Sequence, residues 1–267
     1  MEIPDAPKRV LALAPSLTEM IYSIGAEAKM VGATRFSDYP PAAGDLPRVG
    51  SYIQLDLERI VALRPDLCFA IKDGNPKQTV DAIKALGIPV FAVDPHTINQ
   101  IMDTLLVVGD LLNEKEQAQT LVSSLRQRVA RVHQRVASSK ARPGVFFQIA
   151  DSPLISAGKG SFIDRLITLA GGTNLAGGAE GYPRYSWEDI LVLQPEVVLI
   201  SSMTGGENPQ QLKEAWQRWP SIPAVRYNRL YVVKADLFNR PTARLIDGLE
   251  TLADILHPNA AGGENGK

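Results

Sequence analysis

Through the middle of the chain, apolar residues recur at steps of three and four: Ala118, Leu121, Val122, Leu125, Val129, Val132 and Val136. That spacing places one stripe along one face of a helix, with Arg126, Arg128, Arg131, Arg135 and Lys140 elsewhere on its circumference. Asn113 is a good N-cap, Glu116 follows three residues on as in a capping box, and Pro143-Gly144 supplies a stop. The pattern therefore predicts one helix from about Asn113 to about Ser139. At 1.5 Å per residue it would span roughly 40 Å, enough to run along two lobes and join them.

The sequence on either side repeats a pattern. Asp56-Leu57-Glu58-Arg59-Ile60-Val61-Ala62-Leu63-Arg64-Pro65-Asp66-Leu67 aligns without a gap to Ser186-Trp187-Glu188-Asp189-Ile190-Leu191-Val192-Leu193-Gln194-Pro195-Glu196-Val197. Each copy has an N-cap (Asp56, Ser186), a glutamate in the first turn, one apolar face, a helix-ending Pro and then an apolar strand. Two related lobes with a helix between them is the simplest organisation. It predicts an N-terminal lobe over residues 1–112, a connecting helix over 113–140, a C-terminal lobe over 141–257 and a disordered tail over 258–267.

Taken in order, Arg9 to Ala14 reads as a strand, Pro15-Ser16 as a turn and Leu17 to Ile24 as a helix stopped by Gly25. Met30 to Ala33 is a second strand, followed by an irregular segment from Thr34 to Ser51. Beyond the first repeat come a helix from Pro76 to Leu86, a strand from Val90 to Val93 and a helix from Ile98 to Leu112. The second half restarts with a strand from Val145 to Ile149, a loop from Ala150 to Ser161, a helix ending at Gly171-Gly172 and a loop from Thr173 to Tyr185. A strand from Val197 to Ser201, a helix from Pro209 to Trp216, a strand from Leu230 to Val233 and a helix from Arg240 to Leu256 complete it. Alternating strands and helices point to α/β lobes with mainly parallel sheets.

Composition narrows the function. With 28 Lys and Arg against 29 Asp and Glu, and no long basic run, nucleic acid is not expected as a partner. The single cysteine, Cys68, lies in an apolar strand and reads as a small buried hydrophobe. No apolar run is long enough to cross a bilayer, and Met1 to Asp5 lacks the basic start and apolar core of a signal peptide.

Enzyme motifs are not found. Gly158-Lys159-Gly160-Ser161 lacks the glycine a phosphate loop needs five residues earlier, where Pro153 stands. His96, His133 and His257 lie near helix ends or on a polar helix face, and assemble no nucleophile or metal site. What stands out is a set of aromatic residues in loops beside strands: Phe36, Tyr39 and Tyr52 in the first lobe, Tyr182 and Tyr185 in the second. In open α/β sheets ligands bind beyond the carboxyl ends of the strands, so these loops could face a large flat ligand across a cleft, or each tyrosine could pack on its own lobe. Glu58 and Glu188 both follow an N-cap by two residues. Either serves its own helix dipole, or the matched pair offers a two-point contact to a cationic partner.

The order Ala14-Pro15-Ser16-Leu17-Thr18-Glu19, then Phe36-Ser37-Asp38-Tyr39-Pro40-Pro41, then the first repeat and the long helix, resembles the substrate-binding proteins of ABC importers for cobalamin, iron-siderophores and haem. The resemblance runs from Arg9 to about His257. Ser37-Asp38-Tyr39-Pro40-Pro41 and the later Asp236-x-x-x-Arg240 look most like the cobalamin (vitamin B-12) binding branch.

The resemblance implies a helical-backbone periplasmic binding protein fold, two α/β lobes joined by one long helix, and the stiffness of that helix predicts small opening motions rather than a wide hinge. It also implies a monomeric, non-enzymatic receptor in the periplasm or another extracytoplasmic space, with no catalytic cofactor and no metal site of its own. Its ligand would be cobalamin or a related corrinoid and its partner a membrane permease. By position, Phe36, Tyr52 and Ile71 would line the cleft from the first lobe, and Ile149, Ile155, Tyr182, Asp236 and Arg240 from the second. Asp236 and Arg240 would anchor amides at the corrin rim, or pair with each other across a helical turn. Glu58 and Glu188 would dock onto arginines of the two permease subunits. The pocket is less aromatic than the branch's pattern, which keeps haem or a ferric siderophore as alternative cargo, with tyrosines near iron and Arg35, Arg184 or Arg240 meeting carboxylates. An enzyme working in the same cleft would need a catalytic dyad that the sequence does not display.

Overall fold

The computed structural model describes residues 3–202 and 208–258. Apart from Pro258, the tail expected over 258–267 lies outside the described residues. The chain divides into two compact α/β units, one of residues 1–126 with 240–243, the other of 127–239 with 244–267. The division falls inside the long helix, and it assigns Arg240 to the first unit.

The first unit contains β1 (Val10–Ala12), α1 (Pro15–Ser23), β2 (Met30–Gly32), α2 (Leu57–Ala62), β3 (Leu67–Ile71), α3 (Lys77–Ala85), β4 (Val90–Val93), α4 (Ile98–Leu111) and the start of α5 (Lys115–Ala137). Its four strands form a fully parallel sheet in the order β2-β1-β3-β4. Leu67, Cys68, Phe69 and Ala70 are all buried, as a strand covered on both faces requires. Burial, and after it the Asp66 carboxylate, pushes the Cys68 thiol up to about 12, consistent with an inert packing residue.

The long helix starts later than its capping pattern predicts. Asn113 has φ +55°, and its amide and that of Glu114 donate back to Asp110 and Gly109, so Asn113 closes α4. Asparagine tolerates this left-handed conformation, which makes it as good a helix stop as a helix start. The Glu114 carbonyl accepts from Ala118 and opens α5. Ala118, Val122, Leu125, Val132 and Val136 are buried as the stripe predicts. Arg128 and Arg135 are not on a purely wet face. Arg128 binds Asp247 at 2.6 Å and Glu250, and Arg135 donates to the carbonyls of Ala253 and His257.

The second unit continues with β5 (Gly144–Asp151), β6 (Leu154–Ser156), α6 (Phe162–Leu169), β7 (Thr173–Asn174), β8 (Arg184–Tyr185), α7 (Trp187–Leu193) and β9 (Val197–Ser202). After these come α8 (Pro209–Gln217), α9 (Pro223–Arg226), β10 (Leu230–Lys234), α10 (Asp236–Asn239) and α11 (Leu245–Leu256). The sheet order is β10-β9-β5-β6-β8, with β7 also pairing β5. β7, β5, β9 and β10 are parallel, and β6 and β8 are antiparallel additions. Trp216 anchors the core below this sheet, tilted against Phe146 and edge-to-face with Trp187, with its indole N–H donating to Gln148 at 2.6 Å. The helix expected from Arg240 to Leu256 starts at Leu245. Pro241 has no N–H to give to a helical ladder, and the chain from Ala235 makes a separate turn, α10, first.

The repeat extends well beyond the segment visible in sequence. Arg64 and Gln194, aligned in the two copies, have φ of 45° and 48°, each just before the buried Pro. Gly25 and Gly171 close α1 and α6 at 77° and 76°, and Gly87 and Asn228 close α3 and α9 at 82° and 53°. After each Pro a carboxylate ties down the first strand of its lobe: Asp66 accepts from the Lys8 and Arg9 amides, Glu196 from the Gly144 amide.

Candidate functional site

In the first unit one buried side chain fastens the carboxyl ends of β1 and β3 to the loop between β2 and α2. Asn75 donates to the carbonyls of Leu13 and Tyr52, both at 2.8 Å, and accepts from the Ile71 amide at 2.8 Å. It uses both amide hydrogens and its carbonyl, so it fixes three segments at once. Gly74, at φ +139°, lies beneath them: a Cβ there would sit 3.2 Å from the Tyr52 ring and 3.5 Å from Ile71. Tyr52 and Ile71, two of the predicted ligand contacts, are thus brought together, both half-buried.

Phe36 sits in a neighbouring loop and is 50% exposed. Its loop is held by side-chain hydrogen bonds. Ser37 is buried and shares its hydroxyl with those of Thr18 and Thr34, each at 3.0 Å. Arg48 donates to the carbonyls of Thr34, Ser37 and Gly44. Arg240 joins this loop. Its Nη1 is 2.9 Å from Glu19 Oε1 and 2.9 Å from Asp38 Oδ1. The loop that carries the exposed Phe36 is therefore also tied, through Asp38, to a charge-paired arginine.

In the second unit Ile149 occupies the irregular position between Gln148 and Ala150, where β5 opposes two residues to one of β6. Such a bulge re-aims a side chain at the end of a strand. Ile155 follows in β6, opposite Ala150 and Arg184. Tyr182 is 67% exposed, and the backbone on either side of it is pinned: the Gly181 carbonyl accepts from Gly158 and the Pro183 carbonyl from Ser156. Gly158 is required there, because a Cβ would lie 2.2 Å from the Ala179 oxygen. The amides of Gly158, Lys159 and Gly160 are taken by Gly181, Ala179 and the Asp164 carboxylate. The loop thus spends on itself the donors a phosphate would need. Asn174 knits it to α6 through Ala157 and Asp164. Asp236 is the first residue of α10, directly after β10.

Glu58 and Glu188 take matched places as the second residues of α2 and α7, both exposed. Asp56 caps the first helix by accepting from the Arg59 amide, while Ser186 and Asp189 form a reciprocal capping box on the second. The caps take a backbone amide at each helix start, and both glutamates are exposed in the first turn beside them.

His257 is buried, with Nε2 3.0 Å from the Ala170 carbonyl, and burial lowers its pKa. It packs α11 on α6. No group of three or more potential metal ligands occurs among the described residues. Asn75, Arg48, Glu19 and Asn174 carry no signal in sequence that marks them as supports, because isolated polar residues are ordinary until their partners are known.

A model of the periplasmic binding protein family matches residues 10–237. The chain belongs to this family. Among relatives of the family, a vitamin B12-binding protein of Photorhabdus laumondii is 32% identical over 96% of this chain and 90% of its own length. One from Salmonella typhimurium is 33% identical over 94% and 91%. The periplasmic vitamin B12 binding protein BtuF of Vibrio cholerae superposes with a TM-score of 0.85 at 30% identity, over 97% of this chain and 100% of that one. A periplasmic haem-binding protein from Pseudomonas aeruginosa gives 0.83 at 28% identity, over 95% and 94%. The two α/β lobes with mainly parallel sheets and a helical backbone are the fold that the sequence resemblance implies.

Proposed function

We propose that this periplasmic binding protein is the extracytoplasmic receptor of an ABC importer, capturing cobalamin or a related corrinoid and passing it unchanged to a membrane permease. Kinship to vitamin B12-binding proteins over nearly the whole chain carries this reading. The surface chemistry supports it. Phe36, Tyr52 and Ile71 in the first lobe, with Ile149, Ile155 and Tyr182 in the second, offer the apolar contact a corrin ring takes. Asp236 and Arg240 supply polar anchors for rim amides. The protein acts as a monomer and catalyses nothing, so affinity rests on shape, apolar burial and a few hydrogen bonds.

Glu58 and Glu188 dock the receptor on cationic groups of the permease, one from each lobe. Replacing both by Ala leaves corrinoid affinity nearly unchanged and weakens stimulation of importer ATPase activity. An equal loss of affinity would assign them to the ligand site instead.

Likeness to a haem-binding protein supports a second reading, with haem or a ferric siderophore as cargo. An absorbance titration with cyanocobalamin, cobinamide, haemin and a ferric siderophore decides. The proposal expects response to the corrinoids; response to haemin or the siderophore alone would overturn it.

A further inference from the structure

α2 and α7 bury matched residues, Ile60 and Ile190, and leave their glutamates exposed in both lobes. The charged groups nearest those glutamates are engaged. Asp56 pairs with Arg59 at 3.2 Å, Arg59 also donates to the Arg48 carbonyl, and Asp189 accepts from Ser186. The carboxylates of Glu58 and Glu188 make no hydrogen bond or ion pair among the described residues. One turn further along each helix an apolar side chain is exposed. Val61, three residues after Glu58, is 45% exposed, and Val192, four residues after Glu188, is 83% exposed, the most of any large apolar side chain among the described residues. Three and four are the spacings that make side chains neighbours on a helix surface. Ala62, aligned with Val192 in the repeat, is exposed as well.

Resting on the docking reading of Glu58 and Glu188, we propose that Val61 and Val192 complete the docking surface, so that each lobe offers the permease one carboxylate with one valine beside it. Folding does not account for the valines. A β-branched side chain loses rotamer freedom in a helix, and one left in water recovers nothing from packing, so an unbranched polar residue would serve each helix better. A single exposed valine is ordinary on a protein surface; here one recurs beside an unengaged carboxylate in both lobes. The partner surface that fits is a cation set next to an apolar depression, once for each lobe. The two groups act differently. The carboxylate attracts at a distance and is screened by salt, while the valine contributes only once it is buried and responds little to moderate salt. Steering and holding are thus divided between neighbouring side chains.

The test measures the affinity of the cyanocobalamin-loaded protein for its own importer in nanodiscs, at low and at high salt. Val192→Gln should weaken binding about tenfold and Val61→Gln, with less surface to lose, about threefold, each by the same factor at both salt concentrations. Glu58→Ala combined with Glu188→Ala should weaken it at low salt and flatten the salt dependence. Glutamine favours a helix more than valine does, so both valine variants keep the fold, and their cyanocobalamin affinity stays unchanged. Val107→Gln, at a position 44% exposed on α4, is the control and should bind the importer like wild type. Importer affinity unmoved in both valine variants, an equal loss in Val107→Gln, or a matching loss of cyanocobalamin affinity overturns the proposal while the glutamate effect stands. Glutamate variants that dock like wild type would overturn the docking reading and this proposal together.

Discussion

Gly25 in the first lobe and Gly171 in the second close matched helices with nearly the same φ, 77° and 76°. A methyl on Gly25 would meet nothing within 4 Å, whereas one on Gly171 would lie 2.6 Å from Val136 and 2.7 Å from the His257 ring. The same contrast runs through both lobes. The backbone devices that end helices and start strands are kept, because a left-handed turn or a strand-tying carboxylate has few substitutes. What supports the loops that carry the candidate site residues has diverged. The first lobe relies on one buried asparagine, a hydroxyl cluster and Arg48. The second adds the antiparallel strands β6 and β8, and holds its loops by strand pairing and by Asn174. Scaffold positions follow from the fold, while the loop supports differ from lobe to lobe.

Breaking the two asparagine supports should show the largest difference. Asn75→Leu strands two carbonyls and an amide in a buried setting and should cost about 4 kcal/mol in urea denaturation, with a matching loss of corrinoid affinity. Asn174→Leu, at a half-buried site sharing its load with strand pairing, should cost about 2 kcal/mol. Equal costs would mean that the hairpin adds no support.

The matched glycines come next. Gly171→Ala adds overpacking to left-handed strain and should lose about 3 kcal/mol, while Gly25→Ala should lose about 1 kcal/mol from strain alone. Thermal denaturation of the pair separates the two contributions.

A smaller asymmetry concerns pH. His257 has its pKa lowered from 6.5 by burial, so the unfolded chain binds its proton more readily than the native one. Stability from this group is present above 6.5 and is lost as pH falls through that range toward the lower folded value. Denaturation at pH 7 and pH 5 should show a loss on acidification that His257→Gln reduces. A pH dependence unchanged in that variant would remove His257 from the account.

The smallest expected effects are gains. Arg64→Gly and Gln194→Gly each relieve a left-handed side-chain residue and should stabilise by about 0.5 kcal/mol, after the entropy cost of glycine is subtracted. Similar gains at both would sharpen the case that these turns are true equivalents.

Strongly periodic elements were legible in sequence. β4 spans Val90 to Val93 as predicted, and the matched helices with Glu58 and Glu188 in their first turns are where the repeat puts them. β6, β8 and α9 were not, because segments of two to four residues carry no period. Asn113 misled because the same residue type both caps helix starts and closes helix ends. The exposed aromatics of the candidate site could be picked out by composition and position. Their supports could not: Asn75 reaches Leu13 across 62 residues of sequence, and the partners of Arg240 lie 221 and 202 residues away. Such pairings are set by tertiary packing alone.

Hydrogen exchange with and without cyanocobalamin tests most directly whether both lobes supply the ligand surface. Ligand-dependent protection is expected around residues 34–40, 52–53 and 71–75 in the first lobe and around 149–156 and 181–185 in the second. Protection confined to one lobe, or absent from both at saturating ligand, would contradict the account.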